Sequence, residues 1–303
     1  MIGCRVVKDS KPFQRQVANA SSLQHRNRKQ GDFMHKRLEG RIAIVTGAAG
    51  GIGAASARRL SEEGARVVLA DIDIASAQDI AREIEGADAL ALDLTHEQSV
   101  REVIDQVTRK WGQIDILLNN AAIQNDAQRQ ADLDVVNLDV AAWDRAMAVN
   151  VRGAMLMCKY ALPHMLEHGG SIIHSASGFG IQGEATLTAY GSSKAALIQL
   201  NRMIATQYGK QGVRSNCMVI GFVLTQLATE STPQEVKDIL LSHHLTPRLG
   251  LPEDIANLVA FLASGESAFI TGAAIPIDGG VTAHQPSYAD FQKLFAAMGT
   301  GKL

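Results

Sequence analysis

Cysteine is scarce in this chain, and what there is lies scattered. Cys4, Cys158 and Cys217 are the only three in 303 residues, and none has metal-ligand spacing to another. That usage fits a reducing compartment with buried thiols, so a cytoplasmic location is the expectation and no metal site is expected. Long apolar runs are missing as well: none reaches the ~18 residues that a membrane span needs. No signal-peptide core is visible, and there is no internal repeat and no low-complexity segment. A large net charge is also absent, the total being −2. The balance is uneven, because residues 1–37 hold nine Lys/Arg against two Asp/Glu and the rest of the chain stands at −9. An acidic body argues against nucleic acid as a partner.

What is present is a regular alternation. At 46% hydrophobic, the length suits one large α/β domain or two small ones. Short β-branched runs fall at 42–45, 66–70, 89–92, 114–118, 171–175, 213–219 and 273–277. Helical patterns fall between them at 53–63, 74–84 and 97–110. A long one follows at 141–167, which Pro163 should bend, and another starts at Ser192. Strands alternating with helices predict a seven-stranded parallel sheet with helices on both faces.

Outside that rhythm lie three segments. Residues 1–37 read as a basic, flexible extension. It could be an over-long start with true initiation near Met34, an arm that contacts another subunit, or a targeting segment. The domain proper is expected over 38–280. Within it 222–251 holds two short helices at most and reads as a lid. The tail, 281–303, puts Tyr288, Phe291, Leu294, Phe295 and Met298 on one helical face, which could cover a cleft or pack on another subunit.

Two motifs carry chemistry. The first is Thr46-Gly47-Ala48-Ala49-Gly50-Gly51-Ile52-Gly53, where the first strand turns into the first helix. Glycines there let backbone approach a pyrophosphate, and the helix N-terminus favours its charge. Asp71 ends the second strand and can accept both adenosine-ribose hydroxyls while repelling a 2′-phosphate. With Gly50 beside the turn and Ile72 after the acid, no cation offsets that repulsion, so NAD is expected over NADP. The second motif is Tyr190-Gly191-Ser192-Ser193-Lys194. Residues four apart share a helix face. A cation close to a phenol lowers its pKa and lets it exchange a proton with an alcohol or ketone. Four Tyr and eleven Lys give roughly 0.15 such pairs by chance, so the pair gains weight only from its companions.

Together these stretches resemble the short-chain dehydrogenase/reductase family, from about Leu38 to Gly280. The resemblance implies a single Rossmann-type doubly wound domain, a homotetramer or homodimer, and hydride transfer between NAD(H) and a secondary alcohol or ketone. It implies that Gly47, Gly51, Ile52 and Gly53 form the cofactor turn and that Asp93 and Leu94 meet the adenine. Asn120 belongs to Asn119-Asn120-Ala121-Ala122, with Ala122 where the family has glycine. Val223 and Thr225 belong to the segment near the nicotinamide, with Ile220 where the family has proline. Ser177 is implied as the catalytic serine, with Ser175 as its rival on the same side of the strand. Tyr190 is implied as the acid/base, Lys194 as its pKa modulator and a ribose ligand, and Asn150 as the holder of a water that links Lys194 to solvent. His174, where an asparagine is common, reads as a satisfied structural residue. The apolar start of the lid and Gly178-Phe179-Gly180-Ile181 suggest a hydrophobic cyclic or aromatic alcohol. Two other functions remain open: an NADPH-type reductase of carrier-linked 3-oxoacyl groups, and a non-catalytic dinucleotide-binding protein.

Overall fold

A computed structural model describes residues 36–299. The extension before residue 36, and with it the three readings of its role, lies outside the described residues. Seven strands form one parallel sheet: β1 (Ile42–Thr46), β2 (Arg66–Asp71), β3 (Asp88–Ala91), β4 (Ile116–Asn119), β5 (Gly170–Ser177), β6 (Val213–Ile220) and β7 (Ala274–Ile277). Their order is β3-β2-β1-β4-β5-β6-β7. The central strands β1 and β4 are apolar up to their last residues, Thr46 and Asn119, because helices cover both faces, and every residue of both is buried.

On one face lie α1 (Gly51–Glu62), α2 (Ile74–Arg82) and α10 (Pro252–Ala263). They contribute Ala57, Leu60, Ala77, Ile255, Val259 and Leu262 to the core. On the other lie α3 (Glu97–Trp111), α6 (Ala154–Ala161) and α7 (Thr188–Tyr208). Val100, Val103, Ile104 and Val107 of α3 are buried at i, i+3, i+4 and i+7. Each large apolar side chain so buried contributes roughly 1.5–3 kcal/mol. No described helix is long and apolar enough to cross a membrane.

Three sequence expectations need correction. The long helix at 141–167 is not continuous. It is split into α5 (Val140–Ala146), a π-helical turn (Met147–Gly153), α6, and a 3-10 turn at Leu162–His164. Pro163 has no N–H to give, so the chain tightens and stops there rather than bending. The Tyr190 helix begins at Thr188, four residues earlier than its apolar pattern. The helix α10 was not read from the alternation, although it holds part of the core.

Two short helices, α8 (Gln226–Ser231) and α9 (Gln234–Ser242), occupy the 222–251 segment, and α4 (Asp126–Ala131) lies after β4. The tail helix α11 spans Tyr288–Ala297. Its Phe291, Leu294 and Met298 side remains exposed.

Candidate active site

The strand order reverses between β1 and β4, and open parallel sheets bind ligands outside the carboxyl ends of their strands at such a point. A cleft of about 1030 Å³ lies there. Its lining includes Gly47, Ile52, Asp71, Asp93, Leu94, Asn120, Ser177, Tyr190, Lys194, Val223 and Thr225. Of the residues singled out from sequence, only Gly51, Gly53 and Asn150 stand behind the wall.

At the glycine turn, Gly47 has φ +65° and a Cβ would sit 2.7 Å from the Ala121 Cα. A Cβ on Gly53 would lie 2.0 Å from the Gly47 carbonyl oxygen. No side chain fits at either place, so the turn stays tight and α1 starts with its amides facing the cleft. The first turn of α1 carries no acid and its N-cap, Gly50, offers no side-chain acceptor. These amides are therefore open to an anion such as a pyrophosphate.

Asp71 is fixed by two backbone donors. Ala49 N–H reaches Oδ2 at 2.9 Å and Asp73 N–H reaches Oδ1 at 3.0 Å. Its neighbour Ile72 is exposed and apolar. Asp93 is held by Thr95, whose N–H and hydroxyl both donate to Oδ1, at 2.8 and 2.6 Å. Asn120 ties three strand ends together: its Nδ2 donates to the Thr46 and Gly47 carbonyls, and its Oδ1 accepts from the Ser175 hydroxyl at 3.3 Å. Thr225 caps α8 by accepting the Ala228 N–H, and Val223 bridges to Gly250. A glycine turn with no room for Cβ, free helix amides, and a fixed acid at the end of β2 suit a dinucleotide.

The reacting groups meet at the other end. Ser175 and Ser177 share a strand side, but the hydroxyl of Ser175 goes to Asn120. Ser177 instead lies on the cleft wall with Tyr190, draws the phenol pKa down and accepts the Phe179 N–H at 3.3 Å. The Phe179 ring packs edge-on against Tyr190, centroids 6.2 Å apart. Lys194 is 3% exposed and donates to the Ser175 carbonyl at 2.7 Å. Its Nζ lies 5.4 Å from the Tyr190 ring centroid.

The protonation states differ from the sequence expectation. Burial raises the Tyr190 phenol, and only the hydrogen bond with Ser177 draws it back. Burial also pushes Lys194 down to about 8. Lys194 stands beside the Tyr190 ring and spends its hydrogen bond on the Ser175 carbonyl rather than on the phenol oxygen.

Asn150 sits in the π turn. Its Oδ1 accepts the Ile123 N–H and its Nδ2 donates to Ser193, both at 2.9 Å. Ser193 in turn donates to the Tyr190 carbonyl at 2.7 Å. The side chain thus braces the Tyr190 turn rather than presenting itself to the cleft. His174 is fully buried and pushed down to about 4, by burial and by the nearby Lys194 charge. It is neutral, but its Nε2 finds no hydrogen-bond partner among the described residues, so it is less satisfied than expected.

One residue escaped the sequence reading. Asp132, 1% exposed, accepts the Ala189 N–H at 2.7 Å and the Tyr190 N–H at 2.9 Å. It caps the catalytic helix from a distant loop, beside Leu187, which holds φ +61°. Capping is normally sought just before a helix, so no local signal points to it. Among the described residues no group of three or more His, Cys, Asp and Glu could hold a metal.

Fold and cleft define an α/β oxidoreductase built for a nicotinamide dinucleotide. A family model described as enoyl-(acyl carrier protein) reductase matches residues 47–282. The 7alpha-hydroxysteroid dehydrogenase of Bacteroides fragilis is 40% identical over 256 residues, covering 83% of this chain and 98% of its own. The cis-4-hydroxycyclohexanecarboxylate dehydrogenase of Sinomonas cyclohexanicum is 39% identical over 248 residues, covering 80% and 97%. The crystal structure of gox2181 superposes with a TM-score of 0.77 at 29% identity, covering 82% of this chain and 98% of that one. The chain belongs to the short-chain dehydrogenase/reductase family.

Proposed function

We propose that this protein is an NAD-dependent dehydrogenase of secondary alcohols carried on an apolar ring, working reversibly with the ketone. The observation that supports it best is the convergence of Ser177, Tyr190 and buried Lys194 on the wall of one cleft that also holds Asp71. Gly47, Gly51, Ile52 and Gly53 would hold the pyrophosphate, Asp71 the adenosine ribose, Asp93 and Leu94 the adenine. Asn120, Val223 and Thr225 would line the nicotinamide end. A bound nicotinamide would supply the hydride acceptor or donor. In reduction the neutral phenol of Tyr190 gives its proton to the ketone oxygen; in oxidation that proton first leaves to solvent, and the phenolate then takes the carbinol proton. Ser177 donates to the substrate oxygen where charge develops. Lys194 holds positive charge beside the phenol, and Asn150 keeps the Tyr190 turn in place through Ser193. Phe179, Leu187 and Phe222 give the reactive end an apolar lining, and two relatives are named for hydroxyl groups on a steroid and on a cyclohexane ring.

The test is NADH formation from NAD across hydroxysteroids, cyclohexanols, open-chain alcohols and sugars. Ring alcohols are expected to lead by kcat/KM. Turnover confined to sugars or polar acids would contradict the substrate class.

A further inference from the structure

The cleft is charged differently at its two ends. Asp71 and Asp93 line the end formed by β2 and β3. The rest of the lining mixes apolar side chains such as Phe179, Leu187 and Phe222 with polar ones, and Arg129 on α4 is its one arginine. Three charged or titratable groups complete the lining: Lys194, His244 and Asp278. Lys194 is buried and donates to the Ser175 carbonyl. His244 places Nδ1 2.6 Å from the Leu240 carbonyl. Asp278 is engaged by Thr282, whose hydroxyl and N–H both donate to Oδ2.

Arg129 is less committed. Its Nη2 donates to Asp126 at 2.6 Å, with the two side chains 35% and 77% exposed. A pair so open to water is weak and easily exchanged. Among the described residues its Nε and Nη1 have no hydrogen-bond partner. The helix that carries it is not adrift. One turn on, the Asp132 N–H donates to the Gln128 carbonyl, and the Asp132 carboxylate accepts the Tyr190 N–H. Arg129 is therefore anchored to the same groups that fix the reacting phenol. Gln124 and Gln182, also on the wall, add neutral donors.

We infer that Arg129 forms an anion subsite that reads a carboxylate on the substrate, distal to the hydroxyl held at Ser177 and Tyr190. This rests on the dehydrogenase reading above for the hydroxyl, but not for the anion. A guanidinium presents its donors in a planar fork that matches a carboxylate. Apolar side chains and one half-exposed guanidinium on the same wall suit an amphiphilic anion: a hydroxylated ring that carries an acid group.

The test uses the full chain, with and without NADH, and two matched probes without a hydroxyl, cyclohexanecarboxylate and cyclohexanecarboxamide. Calorimetry gives their affinities for the wild type, Arg129→Met and Arg129→Lys. The wild type is expected to prefer the carboxylate by about tenfold or more. Arg129→Met should abolish that preference and Arg129→Lys should keep part of it. A wild type with no preference, or a preference that survives in Arg129→Met, would overturn the subsite. NAD reduction with cis-4-hydroxycyclohexanecarboxylate separates the two readings. No turnover of it or of any alcohol in the panel, with the carboxylate preference intact, supports the subsite and contradicts the dehydrogenase. Turnover of neutral ring alcohols without any carboxylate preference does the reverse.

Discussion

Tyr190 and Lys194 are both moved from their ordinary titration by burial, in directions that each favour the neutral form. For Lys194 this has a cost to the fold. Its folded pKa is about 8 against an ordinary 10.5, so the unfolded chain holds the proton more tightly. Below pH 8 both states are charged and the full penalty acts. Between pH 8 and 10.5 the folded lysine gives up its proton first, and stability rises with pH by about 3 kcal/mol in all. Urea unfolding of the wild type, Lys194→Met, Cys217→Ala and the double variant between pH 7.5 and 10 isolates this group, since Cys217, pushed up to about 12 by burial, feels the Lys194 charge. The difference in stability should shrink as pH rises. A constant difference would show that Lys194 is not desolvated as described. The penalty makes sense if a cation is wanted beside a phenol more than a stable core is.

At the scale of the element, the Tyr190 helix is held from two sides. Asp132 takes its first amides, and Asn150 braces its first turn through Ser193 from a π turn on another helix. Such π turns recur at functional sites, and here Gly153 makes one possible: a Cβ on it would sit 2.6 Å from the Leu94 Cβ. Replacing Asp132 by Ala leaves two buried amides without acceptors, at about 1–3 kcal/mol each. Asp132→Ala is expected to lower the unfolding midpoint and to reduce kcat about tenfold or more, while NADH affinity stays near that of the wild type. Asp132→Asn keeps one acceptor and should recover part of kcat. Equal loss of kcat and of NADH affinity would mean a general loss of structure instead. Neither brace was legible in the sequence, because Asp132 meets its partners 57 and 58 residues away. The π turn was hidden for a related reason: Met147–Gly153 carries the apolar pattern of an ordinary helix, and only its tertiary bonds unwind it. Local patterns were a better guide where the element is itself local, as with the all-apolar β1 and the Val100–Val107 stripe of α3.

For the molecule as a whole, the seven-strand alternation was readable because most strands carry a short apolar run. Asp71, Asp93, Asn120 and Ser177 line the cleft at or just past the ends of β2, β3, β4 and β5, which is why most of the cleft could be named in advance. What a linear reading could not supply was direction. It placed Lys194 beside the phenol but gave no sign that the ammonium also donates to the Ser175 carbonyl. It also left the tail helix free to cover the cleft, yet among the described residues the lining ends at Thr282. In the proposed reading the choice of cofactor follows from the acid at the end of β2 with apolar Ile72 beside it. The wild type is expected to favour NAD over NADP by kcat/KM, and Asp71→Ala should narrow that gap about tenfold or more. A wild type that prefers NADP would contradict this.

The central claim is that Tyr190 moves the proton. The most direct measurement compares kcat for a ring alcohol between the wild type and Tyr190→Phe, with NADH affinity measured in parallel. The expected result is a loss of at least about a hundredfold in kcat with NADH affinity preserved. A Tyr190→Phe enzyme that keeps substantial turnover would contradict the account.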